Sequence, residues 1–222
     1  MSQISVFIFP EYKNQISSRA LQKRLELVES IIAFSKDKNL SSKDIERINK
    51  KLGSRMRGTK LYPGGSSVLF GWSFSFDKIG PIILKPYYNR EISALIIHYL
   101  TGQDFVNELQ NLKFQFKIEE IRVIIPTVIG LAKIETFSRV YPVLMTTEAP
   151  GEPAQMHPSL IKHISGLARD LAQKGIICDP YPSNWKICFV GGERIIQYID
   201  LLSSNKLKNV YSRIAELLKD FD

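Results

Sequence analysis

The sequence predicts an α+β fold in which short apolar strands lie among amphipathic helices. Apolar residues recur every three or four positions over residues 18–34 and 158–175, which is the spacing of a helix with one buried face. Two short β-rich runs, 185–190 and 194–199, flank Gly191-Gly192, and this pattern is typical of a β-hairpin. With 222 residues the chain is long enough for two lobes, each with an ordinary hydrophobic core.

The other elements follow from the same patterns. A strand is expected over residues 4–9, where Pro10 ends it. A second helix begins at the capping-box sequence Ser41-Ser42-Lys43-Asp44 and ends near Gly53. Further strands are expected at 59–62, 81–85, 122–126 and 141–146, and further helices at 89–102 and 206–221.

Cysteine and histidine usage argues against a zinc site or a disulfide framework. The chain has only two cysteines, Cys178 and Cys188, and its three histidines show no ligand spacing. The apolar runs are far shorter than the roughly 20 residues that span a bilayer, and no signal peptide is recognisable. We therefore expect a cytoplasmic protein with no membrane partner.

The positive charge is concentrated at the amino-terminal end. Residues 1–60 hold thirteen Lys/Arg and six Asp/Glu, whereas the other 162 residues hold seventeen and sixteen. Such a cluster is either a solvated helical face or a surface that binds a polyanion by displacing counterions from phosphates. The asymmetry favours the second interpretation. The candidate nucleic-acid-binding residues are Lys43, Arg47, Lys50, Lys51, Arg55 and Arg57.

The most informative motif is Asp179-x-x-x-x-Asn184, followed by Asp200 after the predicted hairpin. The motif alone occurs by chance in many chains, but here a helix precedes it and a hairpin separates its asparagine from the last aspartate. This is the order of a kinase-like phosphoryl-transfer centre. Asp179 is the candidate base for an attacking hydroxyl. Asn184 and Asp200 are the candidate ligands for Mg²⁺, which prefers hard oxygen donors.

Lys85 is the candidate lysine for the nucleotide phosphates, because it ends an apolar strand as the phosphate-binding lysine of kinases does. A lysine at the solvent end of an edge strand would show the same pattern. Glu91 is its candidate partner, although a first-turn acid favoured by the helix dipole is an equal alternative. The turn before Val68 offers backbone amides to phosphates, or is an ordinary hairpin turn; its candidate residues are Gly64, Gly65, Ser66 and Ser67.

Taken in order, these motifs resemble the protein-kinase-like superfamily, and within it the small archaeal members near the RIO and lipopolysaccharide-kinase branch. The resemblance covers about residues 59–222. It implies a two-lobed kinase-like fold with a truncated carboxyl lobe and a basic helical extension, divided as 1–58, 59–146 and 147–222. It also implies ATP or GTP with Mg²⁺ as cofactors. The resemblance further implies a hinge that binds the adenine edge of the nucleotide through the backbone of Thr147, Glu148 and Ala149.

The sequence departs from the family pattern at three places. Ile177 stands where many kinases have histidine, Leu201-Leu202 follows Asp200 in place of Phe-Gly, and the glycine turn does not match the full glycine-rich pattern. Only twenty-two residues follow Asp200, which leaves no room for an activation segment or for helices that dock peptides. This argues against an ordinary regulated protein kinase.

With its basic amino-terminal segment, the chain is most similar to the archaeal RNA kinase group. That resemblance implies phosphorylation of a ribose 2′-hydroxyl in tRNA, at a variable-loop uridine, with tRNA and a nucleoside triphosphate as partners and a more stable tRNA as the outcome. The alternatives are a RIO-like serine/threonine protein kinase and a catalytically silent nucleic-acid-binding module of the same fold.

Overall fold

The computed structural model describes residues 3–36, 38–64, 68–76, 78–88, 114–116, 119–124, 127–137, 139–149, 151–153, 156–173, 176–177, 181–199 and 203–204; for 114–116, 119–124, 160, 162–163, 170–172, 176–177 and 203–204 it describes the backbone alone. The described chain is mixed α+β, as predicted. It divides into two units, residues 1–91 with 128–148 and residues 92–127 with 149–222. The predicted division was 1–58, 59–146 and 147–222; in the structure residues 1–58 share a unit with 59–91, and residues 92–127 group with 149–222.

Three α-helices are described. Helices α1 (Ser18–Ser35) and α2 (Ser42–Met56) belong to the first unit, and α3 (Pro158–Gln173) belongs to the second. Helix α2 begins with the predicted capping box, in which Ser41 and Asp44 each satisfy a backbone N–H of the other. Donation by the Ser41 hydroxyl and backbone N–H lowers the pKa of the Asp44 carboxyl.

The described strands, in chain order, are β1 (Gln3–Ile8), β2 (Lys60–Pro63), β3 (Phe70–Phe76), β4 (Gly80–Pro86), β5 (Phe114–Phe116), β6 (Glu119–Ile124), β7 (Val128–Glu135), β8 (Val140–Thr147), β9 (Glu152–Pro153), β10 (Ile176–Ile177), β11 (Trp185–Val190), β12 (Glu193–Tyr198) and β13 (Ser203–Ser204). Six of them form one antiparallel sheet in the first unit, in the order β1-β7-β8-β4-β3-β2.

One face of this sheet is the main hydrophobic core of the first unit. Alternate residues such as Trp72, Leu84 and Met145 point to that face, where the apolar stripe of α1 packs with them in one buried cluster. Helix α2 contributes Ile48 and Met56 to the same cluster. The first 58 residues are therefore part of this unit, because α1 and α2 complete its core.

Strand β1 is also built into the sheet, since it pairs with β7 from Gln3 opposite Glu135 to Ile8 opposite Gly130. The close approach depends on Gly130, which lies beside a β-bulge in β7. A Cβ atom at this position would overlap the carbonyl oxygen of Phe7. Any larger residue at position 130 would therefore push β1 away from β7.

The second unit contains a sheet in the order β5-β6-β12-β11-β9 and the short pair β10-β13. Strands β11 and β12 form the predicted hairpin, with Trp185 opposite Tyr198 and Val190 opposite Glu193. Its turn requires glycine, because Gly191 and Gly192 have φ angles of 59° and 85°. The rings of Trp185 and Tyr198 pack edge to face and are almost fully buried.

The structure differs from the sequence prediction at α2 and β7, and it contains the short strands β5, β9, β10 and β13, which were not predicted. Helix α2 continues past Gly53 to Met56, because Gly53 keeps helical geometry and the extra turn buries Met56. Residues 128–132, which the prediction had placed between two strands, belong to β7. The predicted helices over 89–102 and 206–221 lie outside the described residues.

Candidate functional site

Asn184 has a fixed position at the base of the β11–β12 hairpin. It ends a 3₁₀ turn, Pro182–Asn184, in which its backbone N–H donates to the Tyr181 carbonyl at 2.9 Å. Its own carbonyl accepts from the backbone N–H of Ile199 at 2.9 Å. This bond extends the Trp185–Tyr198 ladder by one step. The two chain segments that follow the predicted catalytic loop and precede Asp200 are therefore held together at Asn184.

Two of the three residues of the predicted motif, Asp179 and Asp200, lie outside the described residues. The strands that flank this part of the sequence are described: in β10 and β13, Ile176 pairs with Ser204 and Ile177 with Ser203. In the sequence, Asp179 lies two residues after β10 and Asp200 lies three residues before β13. Among the described residues, no group of three or more His, Cys, Asp or Glu side chains could hold a metal ion.

Lys85 lies on the second face of the first unit's sheet, opposite the face that packs on α1. Register places Ile83, Ser73 and Thr146 on this same face, because Ile83 lies opposite Ser73 on β3 and opposite Thr146 on β8. We call it the polar face, defined by Tyr62, Ser73, Ile83, Lys85, Thr146 and Glu148. Lys85 lies on β4. The neighbours of β4 in the sheet are β3, which follows the glycine turn, and β8, which leads into the predicted hinge.

Glu148 is the centre of a polar cluster on this face. Its carboxylate accepts hydrogen bonds from the hydroxyls of Tyr62 and Ser73, which come from β2 and β3. Burial, and then the bond to this carboxylate, raise the pKa of the Tyr62 phenol above its ordinary value. The cluster joins the end of β8 to the strands on either side of the glycine turn.

Thr146 places an unsatisfied polar atom on the polar face. The residue is 1 % exposed, and its Oγ1 has no hydrogen-bond partner among the residues that the structure describes. Buried hydroxyls are normally paired, and an orphan one costs about 1–3 kcal/mol. A ligand with a polar atom at this position would remove that cost.

The backbone of the predicted hinge is already engaged in two places. The N–H of Glu148 donates to the Pro81 carbonyl at 3.0 Å, and the carbonyl of Ala149 accepts from the Lys186 ammonium at 3.0 Å. Thr147 is the last residue of β8, where it lies opposite Ile82. Two of the main-chain groups that were expected to bind the nucleotide's base therefore form hydrogen bonds within the protein.

The glycine turn is closed at its base by the segment between α1 and α2. The N–H of Gly64 donates to the Leu40 carbonyl at 3.1 Å, and the Leu40 N–H donates to the Leu69 carbonyl at 3.0 Å. A Cβ atom at Gly64 would overlap the backbone oxygens of Val68 and Leu69. The amide of Gly64 is therefore committed to Leu40. Gly65, Ser66 and Ser67, like Glu91, lie outside the described residues.

The predicted basic residues form a stripe along α2. Successive helix residues are about 100° apart, so the five on the helix fall within an arc of about 140°. All are exposed, as is Arg57 just beyond the helix end. Arg47 and Lys51 also lie over the Phe34 ring at 5.8 and 5.0 Å from its centroid. The α2 stripe consists of Lys43, Arg47, Lys50, Lys51 and Arg55.

Sequence reasoning did not find Tyr62, Ser73 or Thr146. Tyr62 and Ser73 are 86 and 75 residues from Glu148 in the chain, so no local spacing could have joined them. A pocket of about 400 Å³ lies elsewhere in the first unit, between β1 and the start of α1, and is lined by Val6, Ile8, Lys13, Ser18, Leu21 and Gln22. It shares no residue with the polar face.

Among the residues that the structure describes, no helix is both long and apolar enough to cross a membrane. The sequence matches no protein-family model and has no significant match among curated proteins.

Proposed function

We propose that the protein is a kinase-like phosphotransferase that moves the terminal phosphoryl group of ATP or GTP to a ribose 2′-hydroxyl of tRNA. The observation that carries this proposal is the 2.9 Å hydrogen bond from the Ile199 N–H to the Asn184 carbonyl. Asn184 ends the loop that begins at Asp179, and Ile199 directly precedes Asp200. This bond supports the proposal, because a phosphoryl-transfer centre needs its catalytic loop and its metal-binding strand end held close together.

The polar face supports a nucleotide-binding role for the first unit. The lysine strand β4 lies between β3, which follows the glycine turn, and β8, which ends in the predicted hinge. Lys85, the apolar side chain of Ile83 and the unpaired hydroxyl of Thr146 share one face. A nucleotide has the matching parts: a charged phosphate chain, an apolar base surface and polar base edges.

The proposed reaction gives each predicted site residue one role. Asp179 accepts the proton of the attacking hydroxyl, Lys85 neutralises phosphate charge, and Glu91 orients Lys85. The amide oxygen of Asn184 and the carboxylate of Asp200 are hard donors of the type that fits Mg²⁺. When bound, that ion neutralises charge on the phosphate oxygens. Because the chemistry is mainly positioning, the fixed backbone of Asn184 is a requirement of the mechanism.

The α2 stripe supports RNA as the acceptor. Five cations on one face of a helix span about 18 Å, since each residue rises 1.5 Å, and this length covers several phosphates of a nucleic-acid strand. The only acid within the arc is Asp44, which is bound to Ser41 in the capping box and lies 3.7 Å from Arg47. A neutral peptide acceptor would gain nothing from such a surface. Structured RNA would bind to such a surface, because proteins recognise RNA largely through its phosphates and its shape.

A second candidate function is RNA binding without catalysis. It is favoured by the committed backbone groups, since the Gly64 N–H, the Glu148 N–H and the Ala149 carbonyl are each bonded within the protein. A kinase-like module that has lost its nucleotide would keep the α2 stripe and fill its former nucleotide contacts in this way.

The test is phosphoryl transfer from γ-labelled ATP or GTP, with Mg²⁺, to bulk tRNA and, separately, to a protein mixture. We expect label in tRNA. A 2′-phosphate removes the nucleophile of alkaline hydrolysis, so the product should survive alkali as a labelled dinucleotide that maps the acceptor position. Asn184→Ala should lower turnover by more than about 100-fold, because even outer-shell partners of metal ligands cost ~10–100-fold.

The matched control is Asn14→Ala, at an exposed turn of the first unit, which should leave turnover unchanged. Label in protein and not in tRNA would favour a RIO-like protein kinase. Tight tRNA binding with no label in either acceptor, unaffected by Asn184→Ala, would favour the silent module.

A further inference from the structure

The Glu148 carboxylate lies over the middle of the polar face. Glu148 directly follows β8, and its backbone N–H continues the ladder to β4 by donating to the Pro81 carbonyl at 3.0 Å. Its two carboxylate oxygens accept from Tyr62 on β2 and Ser73 on β3, one each. The side chain must cross β4 to reach them, because β4 lies between β8 and β3. Each oxygen has a second lone pair, so the carboxylate can accept two further hydrogen bonds.

The Thr146 hydroxyl is a second polar group on the same face. Thr146 precedes Glu148 by two residues, and in an extended strand this spacing places both side chains on one face, about 6–7 Å apart along the strand. The hydroxyl is buried and has no hydrogen-bond partner in the part of the chain that the structure describes. A ligand that lay along β8 would therefore meet a hydroxyl, which can donate, beside a carboxylate, which can only accept.

Backbone groups next to this pair are already used, which leaves recognition of a base to side chains. Adenine presents an amino donor beside the N1 lone pair, and a main-chain carbonyl and N–H would match these two groups. Here the N–H of Glu148 is bonded to the Pro81 carbonyl, and the carbonyl of Ala149 is bonded to the Lys186 ammonium. The hinge backbone is thus poorly suited to adenine.

From this arrangement we infer that the base held on the polar face is guanine, so that GTP is the preferred phosphoryl donor. The Watson–Crick edge of guanine presents, in order, the O6 acceptor, the N1–H donor and the 2-amino donor. The Thr146 hydroxyl donates to O6, and the Glu148 carboxylate accepts from N1–H and from the amino group. Adenine would place its N1 lone pair against the carboxylate, which has no proton to offer. Because nucleotide binding by this face is part of the proposed function, the guanine site depends on it.

The test measures the Kd of GDP and of ADP, each with Mg²⁺, for the whole 222-residue chain by isothermal titration calorimetry. A hydrogen bond to a charged group changes affinity by roughly tenfold or more. We therefore expect GDP to bind about 10- to 100-fold more tightly than ADP. Inosine diphosphate keeps O6 and N1–H but lacks the amino group, so its affinity should fall between the two.

Two substitutions of nearly unchanged shape separate the two contacts. Glu148→Gln replaces one acceptor oxygen with an N–H donor, so it should weaken GDP by roughly tenfold or more. The same variant should bind xanthosine diphosphate more tightly than the parent does, because the 2-oxo group of xanthine accepts from that donor. Thr146→Val removes the donor to O6, so it should weaken GDP and inosine diphosphate by a similar factor and ADP by less. Thermal unfolding without nucleotide should show no loss of stability in Thr146→Val, since the hydroxyl has no partner in the described fold.

The matched control is Glu135→Gln, which neutralises another carboxylate of the first unit. Glu135 pairs with Lys133 at 3.0 Å and lies opposite Val140, at the other end of β8 from Thr146. This variant should leave the ratio of the GDP and ADP affinities unchanged.

Phosphoryl transfer to tRNA from ATP and from GTP distinguishes the guanine site from the proposed function. If ATP labels tRNA as well as GTP does, and ADP binds as tightly as GDP, the guanine site alone is overturned. A preference for GDP that Glu148→Gln leaves unchanged also overturns it, because the base would then contact other residues. Tight binding of GDP that Glu148→Gln weakens, with no labelled RNA, supports the guanine site and overturns the proposed function. A parent protein that binds neither nucleotide overturns both.

Discussion

At the scale of single residues, the Glu148 cluster couples the protein's stability to alkaline pH. The Tyr62 phenol donates to the Glu148 carboxylate, and the bond exists only while the phenol keeps its proton. Its pKa is raised in the folded protein, first by burial and then by that carboxylate. The stabilisation is therefore fully present below the ordinary tyrosine pKa of about 10 and is lost as pH rises through the higher folded value.

We expect Tyr62→Phe to lower the free energy of unfolding by about 1–2 kcal/mol at pH 8, since the hydrogen bond is to a charged acceptor. Between pH 10 and 11.5 the difference between parent and variant should shrink, because the Tyr62 phenol of the unfolded parent loses its proton in this range while the folded one, with its raised pKa, keeps it. Urea unfolding at several pH values measures this. Tyr181→Phe, at an exposed tyrosine, is the control. A difference that stays constant or grows with pH would contradict the role given to the Tyr62 proton.

At the scale of elements, Gly130 controls how β1 joins the sheet. Gly130→Ala places a methyl group against the Phe7 carbonyl, so we expect a loss of about 1–3 kcal/mol in stability from crowding in a fixed backbone. Gly53→Ala is the matched control, because a Cβ there meets nothing within 4 Å and the site is helical. It should stabilise the protein by about 0.5–1 kcal/mol. Thermal unfolding of both variants distinguishes the two; equal effects would contradict the close approach of β1.

Strand β7, which contains Gly130, shows what could be predicted from the sequence at this scale. The helices and the hairpin followed from periodicity and from Gly191-Gly192, because one face of each is buried and the pattern is visible in the sequence. Strand β7 lies between β1 and β8 and is buried on both faces from Val128 to Ile134. Its residues therefore show no alternation, and Gly130 interrupts the apolar run.

The residues of the candidate site also fall into those that the sequence could predict and those that it could not. Asn184 and Lys85 could be selected from the sequence because their chemistry depends on local spacing and on the end of a strand. The Glu148 cluster and Thr146 could not, because sheet register brings them together from β2, β3 and β8. A residue such as Glu148, whose backbone was expected to act, proves to have its side chain at the centre of the polar face.

At the scale of the whole molecule, the net charge of +8 lies mostly in the first sixty residues, and it should set the salt dependence of RNA binding. Replacing Lys43, Lys50 and Arg55 with glutamine removes three cations and leaves the Arg47 and Lys51 contacts to Phe34 in place. The slope of log K for tRNA against log salt should become shallower by up to about 2–3, since each phosphate contact contributes roughly 0.7–0.9.

The control variant replaces Arg19 and Lys23 with glutamine, both of them exposed on α1. If net charge alone governed binding, this variant would change the slope almost as much per charge as the α2 variant does. Filter binding or fluorescence anisotropy at 50–300 mM salt measures both, and circular dichroism checks that α2 remains folded.

The two backbone hydrogen bonds of Leu40 have a consequence for how this protein can be shortened. Leu40 donates to Leu69 and accepts from Gly64, and Ser41, the next residue, begins α2. A chain that started at residue 59 would lose both partners at the base of the glycine turn, and Trp72, Phe74, Ile82 and Met145 would face water. The helices are therefore not an appendage that evolution or engineering can exchange freely. Any replacement must supply a strand-like residue at the turn as well as an apolar helix for the sheet.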